Sequence, residues 1–211
     1  MNRSFIIYEG PSLIDGSPIV AIAQVKTGNR KTGDMVQTWI LRSDIDPITA
    51  SRTGADTAIC GDCPHKGTPS DKETGWAQDR TCYVNLLFAP NGVFKAYRKG
   101  AYDVAQGHDA IAAIAKGKGC RLGSYGDPAA IPSYIWESLT SDAEFVTAYT
   151  HNPINPMPHT IMTSADNAAQ AHSAWAKGER TFRVVSDLAQ VIKGKEILCP
   201  ASDEAGNRAT C

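Results

Sequence analysis

The chain has no run of 18 consecutive apolar residues, which removes a transmembrane helix from consideration. A secretion signal is not expected either. Residues 1–11 hold one arginine and a short apolar stretch, Phe5 to Tyr8, without the longer apolar core and small-residue cleavage site of a signal peptide. It also lacks a charge imbalance. Twenty-one Lys and Arg against 22 Asp and Glu leave a net charge of −1, so no global basic field draws it to nucleic acid. Low-complexity tracts and internal repeats are missing, and an apolar share of 42% suffices for one ordinary core. The expected location is the cytoplasm, where thiols stay reduced. Six cysteines in such a chain point to metal ligands or catalytic thiols rather than disulfides.

The pattern predicts an α/β fold, either a partial TIM-barrel-like sheet or an open parallel sheet. It adds an N-terminal β-hairpin and a cysteine-rich loop. Ser17 to Val25 and Asp34 to Leu41 read as strands joined by the polar, Gly-bearing stretch Lys26 to Gly33. Residues 42–81 are polar and aperiodic, a long loop that something must hold down. A short helix is expected around Phe94 to Tyr97 and another over Asp109 to Lys116. Strand-like runs then recur at Cys120 to Tyr125, Glu144 to Thr150, His159 to Ser164, Arg180 to Ser186 and Glu196 to Cys199. Helical stretches, Ile131 to Leu139 and Ala165 to Lys177, separate some of them, with Ser164 or Asp166 as the second one's N-cap. A short helical turn is expected over Leu188 to Ile192. Strand–helix alternation implies parallel strands. We read one domain over 1–211, made of a hairpin region 1–50, a cysteine loop 51–95, a β/α region 96–199 and a tail 200–211.

Two constellations carry chemistry. Cys60-Gly-Asp-Cys63 is followed after 18 residues by Cys82. Two thiolates two residues apart can share a metal because the chain turns between them, and a third closes the loop. Buried cysteines also serve as small hydrophobes, but a polar loop is a poor place for that role. His65, Cys199 and Cys211 are candidate fourth ligands, and three thiolates with an open position suit an iron–sulfur cluster. Ligand type alone does not choose between zinc and iron–sulfur. Sulfurs sharing one zinc would lie within roughly 4 Å of one another.

The second constellation lies just past the expected strands: Asp127, His151, Ser164 with Asp166, and Ser186 with Asp187. Ligands of parallel α/β folds bind at carboxyl strand ends, so Asp127, His151 and Asp166 are the candidate catalytic residues. Ser and Asp at these places also serve as plain helix caps. Lys95, Arg98 and Lys99, set among Tyr83, Phe94, Tyr97 and Tyr102, are candidate nucleic-acid contacts, with a solvated helix face as the simpler explanation. Cys120 reads as a core residue.

The motifs GDMVQTWIL (33–41), ICGDCPH (59–65), TCYVN (81–85), RLGSYGDP (121–128), AYTH (148–151) and CPASDEAGNRATC (199–211) together resemble an uncharacterised family of phage and prophage proteins. The resemblance covers about three quarters of the chain. It implies a phage protein working in the host cytoplasm. It also implies a distant likeness to phage proteins whose partial barrels suggest radical S-adenosylmethionine enzymes. In that family the run after CPAS continues into two more cysteines, whereas this chain stops at Cys211. The standard radical-enzyme motif is Cys-x-x-x-Cys-x-x-Cys, and this sequence departs from it. The expectations are therefore a metal- or iron–sulfur-binding protein with its site at the strand ends, or a zinc-stabilised module that binds nucleic acid or a host protein.

Overall fold

The computed structural model describes residues 4–25, 33–73, 75–154 and 158–206. Its centre is one open sheet of eight strands in the order β4-β1-β2-β3-β5-β6-β7-β8, not closed into a barrel. The strands are β1 (Ser4–Pro11), β2 (Pro18–Gln24), β3 (Val36–Arg42), β4 (Asp103–Val104), β5 (Gly119–Tyr125), β6 (Phe145–Thr150), β7 (Met162–Ala165) and β8 (Thr181–Arg183). β1, β2 and β3 form an antiparallel meander. From β3 onward the neighbours β5, β6, β7 and β8 are parallel.

The sheet's middle is buried on both faces, and the sequence says why. Ile19 to Ala23 and Val36, Ile40 and Leu41 form near-continuous apolar runs whose alternate side chains all lie inside. Such runs suit strands covered on both sides. Six helices supply cover: α1 (Pro47–Thr53), α2 (Thr57–Cys60), α3 (Ala89–Arg98), α4 (His108–Ala115), α5 (Ser133–Thr140) and α6 (Ala168–Ala176). α4 packs against α5 and α6 against β7 and β8. Among the described residues no helix is long and apolar enough to cross a membrane.

The structure departs from the sequence reading in four places. β1 was not expected; it pairs along its whole length with β2, so the hairpin is the edge of a larger meander. The stretch 42–81 is not structureless: Asp46 caps α1 through the Ile48 and Thr49 amides, and Gly54 ends it in a left-handed conformation. Glu196 to Cys199 forms no strand; Glu196 instead bridges Arg183 and accepts from the Ile192 amide, which binds the segment to β8 by side chains. Finally, α6 is capped by Asn167, whose side chain accepts from the Gln170 amide, not by Ser164 or Asp166. Most of the expected hairpin loop Lys26 to Gly33 lies outside the described residues, as does Cys211.

Because β3, β5, β6, β7 and β8 are parallel, their carboxyl ends share one edge of the sheet. The turn after β5 is tight there. Gly126 has φ +83°, and a Cβ on it would come within 2.7 Å of the Ile40 Cβ and 2.8 Å of the Ile40 carbonyl oxygen. Both the left-handed backbone and the backbone contact on β3 oppose a side chain. Gly126→Ala is expected to cost about 2–4 kcal/mol of stability, read by chemical denaturation. A change below 0.5 kcal/mol would show that the turn relaxes freely.

Candidate functional site

A cavity of about 670 Å³ opens at this carboxyl edge. That is ample for a drug-sized ligand. It is lined by the cysteine loop on one side and by residues just past β5, β6, β7 and β8 on the other.

The scaffold under it is a short chain of hydrogen bonds. Asp127 is 7% exposed, and its carboxylate accepts from four donors. These are the Thr150 hydroxyl at 2.6 Å, the Ala129 amide at 2.9 Å, the His151 amide at 2.9 Å and the Asn152 side-chain amide at 2.8 Å. It thereby joins the end of β5 to the end of β6. Burial pushes the Asp127 carboxyl up from its ordinary value, and the hydrogen bonds pull the other way.

Asn152 continues the chain outward. Its Nδ2 donates to the Cys60 carbonyl, and its Oδ1 accepts from the Asp62 amide. The Cys60-Gly-Asp-Cys63 turn is thus gripped across a sequence separation of some 90 residues. Gly61 is required in that grip: with φ +54°, a Cβ on it would sit 1.8 Å from Asn152 Oδ1. The Asp127 amide also donates to the Ile59 carbonyl, so the helix that presents Cys60 is bonded to the sheet as well.

Cys82 arrives from the far side of its loop. The Thr81 and Cys82 amides both donate to the His65 carbonyl, and Arg80 donates to the Cys82 and Val84 carbonyls. Cys60, Cys63 and Cys82 are all free thiols, half-buried, and all line the cavity. Burial pushes the Cys60 thiol well above its ordinary value. Asp56, the other two thiols and Asp127 act in the same direction. Burial likewise raises Cys63.

The Sγ atoms of Cys60, Cys63 and Cys82 do not all lie within 4.8 Å of one another. Among the described residues, the one group of potential ligands whose donor atoms all lie within 4.8 Å of one another is His65, His151 and Asp166. Asp166 Oδ1 stands 3.3 Å from His151 Nε2 and 3.5 Å from His65 Nε2. His65 Nδ1 meets the Thr81 hydroxyl at 2.8 Å.

The candidate residues therefore sort themselves. Asp127, His151 and Asp166 all line the cavity. Asp127 has its carboxylate occupied by scaffold bonds, whereas the other two present side chains to one another. Ser164 and Ser186 also line it, while Asp187 caps the 3-10 turn Leu188–Gln190. Cys199 is exposed and stands outside the cavity lining. Cys120 is a core residue whose thiol burial pushes to about 12. Lys95 and Lys99 are exposed, and Arg98 donates to the Ser43 carbonyl; none lines the cavity.

Sequence reasoning missed Asn152, Asp56 and Tyr125. Asp56 is 3% exposed, and its carboxyl is pushed up to about 6 by burial, against the pull of Lys66 and Arg80. The Tyr125 hydroxyl is buried with no hydrogen-bond partner, and its residue lines the cavity. The apolar wall opposite is built by Tyr149 and Phe182, whose rings lie 4.4 Å apart, and by Val184 and Tyr83 near the mouth. Compared with models of protein families, with curated proteins and with solved structures, the chain matches none.

Two outcomes follow. Asp127→Asn places an amide against four donors, so it is expected to cost about 2–4 kcal/mol and lower the melting temperature. Asp166→Asn should leave melting within a degree or two, because Asp166's structural bond is through its backbone amide to Gln170. Equal losses would contradict the division of labour. For Asp56, the folded carboxyl titrates near 6 and the ordinary value is 3.8. A raised carboxylate favours the fold at low pH, and that contribution fades as pH rises from about 4 to about 6. Asp56→Asn should therefore gain on the wild type across that window, by roughly 2–3 kcal/mol in the difference between their stability–pH curves. Parallel curves would place Asp56 in a wetter site.

Proposed function

We propose that this protein holds an iron–sulfur cluster through Cys60, Cys63 and Cys82 at the carboxyl edge of its sheet, and uses the adjoining cavity to bind a ligand. The observation that carries the reading is that three thiols from two segments line one cavity without all lying within 4.8 Å of one another. Cluster irons sit at separate corners, so thiolates that ligate different irons stand further apart than ligands of one zinc.

The donor set fits the group. Thiols pushed upward by burial and by neighbouring acids stay protonated on their own, and iron supplies the positive charge that lets them ionise. The orphaned Tyr125 hydroxyl is a donor available to a cluster sulfur or to a ligand. When bound, such a cluster supplies electron transfer, or an open iron where only three thiolates hold it.

The chain's own residues do the rest. Asn152 and Gly61 fix the turn that presents Cys60 and Cys63. Arg80 holds the backbone of the Cys82 segment. Tyr149 and Phe182 give a ligand an apolar wall, and His151 and Asp166 give it a polar one able to accept or hold a proton. S-adenosylmethionine gains no support from the spacing, which departs from the motif that serves it.

Anaerobic purification or reconstitution is expected to yield a brown protein with comparable amounts of iron and acid-labile sulfide. Cys60→Ser, Cys63→Ser and Cys82→Ser should each lose most of both, and Cys199→Ser should lose neither. A colourless protein carrying one zinc per chain would overturn the cluster. So would iron binding indifferent to Cys82→Ser.

A further inference from the structure

We propose that His65, His151 and Asp166 form a second, mononuclear site for a divalent transition ion at the mouth of the cavity. The proposal is independent of what the cysteines hold.

Two imidazoles and one carboxylate converge from three separate segments: the turn after Cys63, the end of β6 and the end of β7. The distances suit ligation better than a pair of tight hydrogen bonds. At 3.3 and 3.5 Å, the Asp166 oxygen is long for a charge-assisted bond to either imidazole, which would close to about 2.7–2.9 Å. For an ion bound at about 2.0–2.1 Å in tetrahedral geometry, neighbouring ligand atoms stand roughly 3.3–3.4 Å apart. The two edges that meet at Asp166, 3.3 and 3.5 Å, are close to that value, and the edge between the two imidazoles is within 4.8 Å.

The ring of His65 is also oriented for ligation. Its Nδ1 meets the Thr81 hydroxyl, which leaves Nε2 facing Asp166. A histidine ligand is held in this way, its other nitrogen fixed by an outer partner. His151 is placed by its backbone, whose amide is bonded to Asp127, so its ring remains available. The carboxylate is brought into line by the Gln170 side chain, which accepts from the Asp166 amide.

The chemical class follows from the donors. Imidazole favours zinc, iron(II), cobalt(II) and nickel(II) over magnesium and calcium, and two imidazoles with one carboxylate leave positions open for water or substrate. The ion would stand beside the cysteine turn, since Asp166 acts electrostatically on Cys63. A substrate oxygen or carboxylate entering past Tyr83 and Val184 would meet it there.

The test is an anaerobic titration of EDTA-dialysed protein with cobalt(II) alone. Cobalt held by nitrogen and oxygen shows ligand-field bands without the thiolate-to-metal charge transfer that cysteine ligation adds. One equivalent of the first kind is expected in the wild type and in Cys82→Ser. His65→Ala, His151→Ala and Asp166→Asn should each weaken it at least tenfold, with melting temperatures close to wild type. Asp166→Asn keeps the side chain's shape, so its loss of binding reads the missing charge rather than a failure to fold. Cobalt that binds only with thiolate charge transfer would overturn the proposal. So would binding indifferent to the three substitutions, or binding that vanishes in Cys82→Ser. Absence of an iron–sulfur cluster would leave this result untouched, because the cobalt readout needs no cluster.

Discussion

The site rests on one buried carboxylate. Asp127 accepts four hydrogen bonds from groups on two segments, the turn after β5 and the end of β6, and few side chains have capacity for that many. A carboxylate has acceptor sites only, so every neighbour must be a donor, and every one is. This complementarity sets the spacing of the β5 and β6 ends, and through Asn152 it sets where the Cys60 to Cys63 turn lies. The connection explains a cost that the fold otherwise has no reason to bear. A carboxyl at 7% exposure loses its hydration, and only a full set of donors offsets that loss. Precision at the carboxyl edge is what the cost secures. A turn carrying two cysteines cannot be positioned by apolar packing alone, because it is polar, half-buried and far along the chain from the strands it meets.

Much of the architecture was legible because its causes are local. Period and composition mark β2, β3, β5 and β6, and helix formers followed by a glycine mark α4. What escaped was set by partners distant in sequence. β1 contains Glu9, Gly10 and Pro11, weak strand formers, and is a strand because β2 pairs with it over its length. Glu196 to Cys199 has strand-like composition, yet Glu196 is committed to Arg183 and the Ile192 amide. The short helix α1 carried readable signals, an Asp-Pro start and a glycine stop, that were hidden in a polar stretch. In the site, the strand-end rule brought Asp127, His151 and Asp166 to one cavity by position alone. It could not assign their roles, since an aspartate's part depends on which donors surround it. Asn152 was invisible for the same reason: nothing in a single asparagine beside a histidine tells that it reaches back some 90 residues to the Cys60 turn.

The cavity divides into walls of different chemistry. Its lining includes three soft thiols, a cluster of two imidazoles and a carboxylate, and a pair of packed aromatic rings. The division follows from topology. The loop after β3 is long enough to fold back over the edge, and it brings the cysteines together with His65. The connections after β6 and β7 deliver residues that immediately follow each strand, among them His151 and Asp166. Parallel strands therefore supply fixed single residues, and the long loop supplies a preformed cluster.

Charge ties these parts to stability. Asp56, Asp127, Asp166 and three thiols crowd one region, and Lys66 and Arg80 are the cations that act on Asp56. Burial favours the protonated forms of the Cys60 and Cys63 thiols and leaves the Asp56 carboxyl half-neutral near pH 6. A bound cation reverses that balance, because it favours the ionised form of every group facing it. An ion bound as proposed would stabilise the folded chain by mass action through the groups that face it. The Asp127–Asn152 network keeps the turn in place in both states, since its donors and acceptor are internal and need no ion. The scaffold is thus separable from the proposed ligands: one carboxylate fixes the geometry of the turn through internal bonds, and the side chains proposed to hold an ion are others.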